Sequence, residues 1–211
     1  VTKVNKGLSD QWKYVTKQLL NHLPSLCPID EWNLALDAEI EALQEDLVTT
    51  GGKEQQHYGL ALKAGLHLMN ESLDKSHAIS QEITNATGSY WHGLMHRMEG
   101  DYSNAKYWFA DAGNHPVYSA LINQVRDYLT ASDLVEIEHE ALRSKVAVLI
   151  NSPVWNPSVF VDAVELQVTL VQQSKVEEWL QHIQQFEMKL LLQYCYEKSC
   201  GGSLLEEIGY Q

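Results

Sequence analysis

Along most of this chain apolar residues recur every three or four positions, the interval that lines one face of an α-helix. Trp12, Val15, Leu19, Leu20 and Leu23 form the first stripe, and Pro24 ends it. A second opens at Asp30, a natural N-cap, and carries Trp32, Leu34, Leu36, Ile40, Leu43 and Leu47 to Gly51-Gly52. The third runs from about 55 to 84 with Leu62, Leu66, Met69 and Leu73 on one side. Thr87-Gly88-Ser89 breaks the pattern and caps a fourth helix. Gly100-Asp101 breaks it again, with Asp101 as N-cap of a helix through Ala112; Gly113 stops that one and Pro116 opens the next. Helical spacing resumes from Ser132, a further N-cap, to Ile150. After the loop 151–157 it continues over 159–172 and from 175 to about 197.

The one run suggesting a strand, Val146-Ala147-Val148-Leu149-Ile150, has helical flanks and reads as helix. The fold class expected is therefore all-α, an irregular antiparallel bundle or array of about eight or nine helices. We read it as a single helical domain over 1–211. It comprises an N-terminal helical pair (1–52), a central block (53–130), C-terminal helices (131–202) and a tail (203–211).

Composition narrows the function classes. With 45% hydrophobic and 20% charged residues the chain can bury a core and is not a disordered polymer. Its 28 acidic against 15 basic residues leave a formal charge of -13. That balance argues against binding a phosphate backbone or an anionic membrane surface, both of which need Lys and Arg. Cys27, Cys195 and Cys200 make no disulfide framework, and a Cys195–Cys200 bridge stays open on spacing alone. The opening Val1-Thr2-Lys3-Val4-Asn5-Lys6 lacks the apolar core of a signal peptide and does not begin with Met, as in a processed or trimmed chain. A cytoplasmic or other intracellular setting is expected.

The chemistry is concentrated in Tyr90-Trp91-His92-Gly93-Leu94-Met95-His96-Arg97-Met98-Glu99-Gly100-Asp101-Tyr102. His92, His96 and Glu99 stand at i, i+4 and i+7 and project from one face within about two turns. In the preceding helix His67, Glu71 and Asp74 repeat this spacing, and His77 completes an Asp-x-x-His pair. Consecutive helices joined by a short break pack antiparallel, so the two faces can converge. Asp74, His77, His92 and His96 are thus candidate metal ligands, a mixed imidazole and carboxylate set suited to Zn, Fe or Mn. Glu99 and Asp101 are candidate catalytic groups, orienting an imidazole through its second nitrogen or acting as general base on a metal-bound water.

Arg97, Asn104 and His115 are candidate cofactor-contacting residues. Arg97 points away from His92 on an ideal helix, which also suits a salt bridge. Asn104 follows Asp101 by one turn, and His115 precedes Pro116 in a loop from which a side chain can enter a cleft. Glu136-x-x-His139 has a ferritin-like spacing but lies in a charged run that reads as a solvated face.

A plainer reading accounts for the same residues. His92 and His96 can be half-buried and hydrogen-bonded to Asp74 or Glu99, only holding helices together. Gly100-Asp101-Tyr102, Ala105, Phe109, Ala112 and Pro116 resemble the second helix of a tetratricopeptide-type hairpin. In that setting Tyr90, Trp91, Tyr107, Trp108 and Phe109 are core. No second copy follows at the repeat period of about 34 residues.

Taken together, Leu73-Asp74-Lys75-Ser76-His77, Tyr90-Trp91-His92, His96-Arg97, Glu99, Asp101, Asn104-Ala105-Lys106-Tyr107-Trp108-Phe109 and His115-Pro116 resemble an uncharacterised all-α family. Trp155-x-Pro157, Phe160-Val161-Asp162, Glu165, Glu178-Trp179 and Gln193-Tyr194-Cys195-Tyr196 extend the resemblance over roughly 55–202. The chain departs from that pattern at Met98 and Gly100, where Arg and Pro are usual, and at Ala110-Asp111, where two Arg would follow Trp108-Phe109. An anion-binding role for those Arg does not carry over. The resemblance implies a helical fold and the location of a site, without an activity. The sequence thus favours a metal-dependent enzyme or metal-binding protein. The alternatives are a non-catalytic helical interaction module that binds a protein partner, and a metal-free small-molecule binder.

Overall fold

A computed structural model of the chain describes residues 8–44 and 52–210. They form eleven α-helices and no strand: α1 Asp10–Leu20, α2 Leu34–Ala42, α3 Lys53–Met69, α4 Leu73–Ser80, α5 Ala86–Glu99, α6 Tyr102–Ala112, α7 Tyr118–Tyr128, α8 Glu140–Asn151, α9 Pro157–Leu166, α10 Ser174–Ser199 and α11 Leu204–Glu207. The expected all-α class is observed, with more helices than the eight or nine read from periodicity. Buried side chains from α1 through α11 make one contiguous apolar cluster. None of these helices is long and apolar enough to cross a membrane, and all three cysteines are free thiols.

The extra helices have local causes. Trp32 does not join α2; its ring stacks on His22 at 4.0 Å, and Asn33 rather than Asp30 caps the helix through the amides of Ala35 and Leu36. The positions of Leu47 and Gly51 lie outside the described residues. The expected third helix is interrupted at Asn70-Glu71-Ser72, where Glu71 takes φ 63°. A left-handed non-glycine residue costs roughly 1–2 kcal/mol, and bonds to distant residues offset it. Oε1 of Glu71 accepts the Ser25 amide at 2.8 Å and lies 2.9 Å from Nε2 of His22; hydrogen bonds to a charged group contribute about 1.5–3 kcal/mol each. Asn70 donates to the Asn33 carbonyl at 3.1 Å, and its own carbonyl accepts from Trp32 at 2.8 Å.

Thr87-Gly88-Ser89 lies inside α5, because Asn85 takes the cap and accepts the Thr87 and Gly88 amides at 3.0 Å. Ser132 does not open a long helix. A 3-10 turn at Asp133–Glu136 comes first, Glu136 pairs with Lys175, and His139 caps α8. Asp101 caps α6 as expected. Within 203–210, α11 buries Leu204, and Ile208 is buried just after it.

Two arrangements position the site. The 26-residue helix α10 packs along α3, where Gly65 leaves room for Trp91 and Leu192; a Cβ there would lie 2.5 Å from the Trp91 ring. Helices α5 and α6 form a hairpin about Gly100, whose φ of 86° gives the left-handed stop. Its contacts pair Ser89 with Asp111, His92 with Trp108, Gly93 with Phe109 and His96 with Asn104. From Ser89–Asp111 through His92–Trp108 to His96–Asn104 each step up α5 meets an equal step down α6, so the two are antiparallel.

Candidate metal centre

His77 on α4 and His92 and His96 on α5 come together as a three-histidine cluster. One ring nitrogen from each lies within 4.8 Å of the others, so the three could hold a metal ion. His92 and His96 are 4% and 6% exposed, and His77 is half-buried, which gives the cluster one open side. Ring centroids are 4.6 Å apart for His77 and His92 and 5.3 Å apart for His77 and His96, with tilts of 59° and 66°. His92 and His96 are 4.8 Å apart and within 15° of parallel, and Trp108 of α6 stacks on the other side of His92 at 3.9 Å.

The two α5 imidazoles differ in surroundings. Burial, followed by the neighbouring His96 and His77, pushes His92 down to about 4. It is therefore neutral near pH 7, with a lone pair free for an ion. Nδ1 of His96 lies 3.0 Å from Oε2 of Glu99. A carboxylate only accepts, so Nδ1 carries the hydrogen and Nε2 carries the lone pair. Asn104 Nδ2 donates to that Nε2 at 3.1 Å. Glu99 thus sets the His96 tautomer in the way that carboxylates orient metal-bound imidazoles.

The other sequence-predicted residues lie elsewhere or do other work. Asp74 borders an acidic cleft with Asp30, Glu31, Asp37 and Glu71 and is not in the histidine group. His67, which repeats the spacing on α3, sits 3.2 Å from Asp37. Asp101 accepts the Asn104 amide at 3.1 Å as a helix cap. Arg97 is fully buried against α10, with Nη2 2.7 Å from Oε2 of an equally buried Glu187 and its guanidinium 4.5 Å from the centre of the Phe160 ring. Tyr90 donates to Oε1 of the same Glu187 at 2.8 Å. His115 is buried among Tyr90, Tyr118 and Tyr194. Its Nδ1 accepts the Val117 amide at 3.4 Å, so Nε2–H faces Thr87 Oγ1 at 3.1 Å. Desolvation lowers it to about 4.

A cavity of about 410 Å³ adjoins the cluster and is lined by His92, Trp108, Ser89, Asp111, Asn85 and Gln81, among others. Trp108, Ser89 and Asp111 were not singled out as site residues from sequence. The signal was present: a hairpin pivoting at Gly100 places Trp108 opposite His92 and Asp111 opposite Ser89. A larger groove, about 490 Å³ between α1, α7, α10 and α11, is mainly apolar and has no histidine in its lining.

No protein-family model, curated protein or solved structure matches the chain. Fold and site define its class: an all-helical protein with a three-histidine cluster able to hold a metal ion.

Proposed function

We propose that the protein binds a divalent transition metal through His77, His92 and His96 and uses it on a small molecule entering from the adjoining cavity. The observation that carries this is the approach of three imidazole nitrogens within 4.8 Å on one partly open face. Tetrahedral ligation at 2.0–2.1 Å needs nitrogens about 3.4 Å apart. Side-chain rotation covers that difference, including a turn of one ring of the near-parallel His92 and His96 pair. Three protein ligands leave a fourth position, the pattern of catalytic rather than purely structural zinc. A metal there would supply Lewis acidity or an activated water. Glu99 would fix the His96 tautomer and add basicity.

The ring stack of Trp108, His92 and His96 favours a second reading, in which the imidazoles only pack the α5–α6 hairpin. Elemental analysis of untagged protein after incubation with Zn, Fe(II) or Mn separates the two. Metal ligation expects near-stoichiometric metal in the wild type, none in His92→Ala/His96→Ala and weakened binding in His77→Ala, with helicity retained. No metal in any form, with only a lower Tm in the double variant, leaves the packing reading and removes ours.

A further inference from the structure

The cavity beside His92 has a second polar feature that metal ligation does not use. Asp111 of α6 accepts a hydrogen bond from Ser89 Oγ at 2.6 Å, and both residues line the cavity with His92 and Trp108. No Lys or Arg lines it, and no cation pairs with Asp111 among the described residues. The start of α5 also borders the cavity, but Asn85 already takes two of its free amides, so that helix end offers little to an anion. The walls therefore select a cation, and the overall charge of -13 draws cations to the surface.

We infer that the cavity holds the ammonium end of a small bifunctional substrate whose other end presents an oxygen to the metal site; this rests on the metal reading above. Ser89 precedes His92 by three residues on one helix face, which separates their Cβ atoms by roughly 5–6 Å. Because Asp111 is hydrogen-bonded to Ser89, the polar end of the cavity and its histidine end lie on the scale of a short amino-acyl compound. Trp108, stacked on His92, adds an apolar wall to the cavity. A free carboxylate or phosphate at the Asp111 end is disfavoured by like charge.

Zinc-loaded protein titrated calorimetrically with γ-aminobutyrohydroxamate and with pentanohydroxamate tests this. The two probes carry the same metal-binding head and differ in a terminal ammonium or methyl group. Wild-type protein should bind the amine about tenfold or more tightly, the effect of one charge-assisted hydrogen bond. Asp111→Asn should erase that preference without changing zinc content. Equal affinities in the wild type, or a preference that survives Asp111→Asn, overturn the cavity assignment and leave the metal site standing. Failure of zinc to load overturns both.

Discussion

Helix α5 carries two polar clusters on nearly opposite faces, and their difference separates structure from chemistry. On one face Arg97 and Tyr90 meet Glu187, with the Arg97 and Glu187 side chains fully buried and a matched charge for each. On the other, three imidazoles meet one another beside a cavity, and the nearest carboxylate, Glu99, is 54% exposed at the rim. Opposite charges there neutralise each other inside the core, although Nε and Nη1 of Arg97 have no hydrogen-bond partner among the described residues. Three like groups gathered with a single, exposed carboxylate at their edge give up hydration for little charge compensation, an arrangement that makes sense when a cation completes it.

The contrast can be broken most forcefully at Glu187. Glu187→Ala leaves the Arg97 guanidinium and the Tyr90 hydroxyl in the core without their anion, so urea unfolding should show a loss of about 3–5 kcal/mol. A loss under about 1 kcal/mol would mean that the closed cluster is not the structural one. His115, on the same closed side, sharpens the comparison through pH. Burial holds it at about 4, against about 6.5 in the unfolded chain. Below 6.5 the unfolded state takes up a proton that the folded state refuses. Its contribution is therefore intact above about pH 6.5 and is lost as pH falls towards 4, by about 2 kcal/mol between pH 7 and 5. His115→Gln should flatten that part of the stability profile; an unchanged slope would show that the ring is not held neutral. The smallest effect belongs to the open face. Glu99→Gln should weaken metal binding about 10–100-fold while stability stays within about 0.5 kcal/mol, as for a surface change. Unaltered affinity would remove Glu99 from the site.

Periodicity made the helices legible, and the capping residues made several ends legible, Asp101 and Gly113 among them. The break at Asn70-Glu71-Ser72 was not legible because no Gly or Pro marks it. The bonds that hold Glu71 left-handed come from His22 and Ser25, 49 and 46 positions away. Spacing on one helix correctly gathered His92 and His96, and the neighbouring-helix argument correctly added His77. The Asp-x-x-His spacing added Asp74 to them, but Asp74, on α4 with His77, borders the cleft with Asp37 and Glu71 instead. Arg97 follows His96 directly, and a helix turns such a neighbour about 100° away; the loop before Pro116 carries His115 into the core among Tyr90, Tyr118 and Tyr194 rather than into a cleft with the imidazoles. Trp108 read as core, and half of that reading holds: one face does pack, on His92.

The turn at Asn70-Glu71-Ser72 also acts as an angular setting for the whole centre. Each residue added to or removed from it rotates α4 by about 100° relative to α3. A single deletion there would leave eleven helices and every imidazole in the chain, yet swing His77 out of line with the other two. Homologous helical chains that keep all three histidines but differ in the length of this turn would therefore share the fold without sharing the centre.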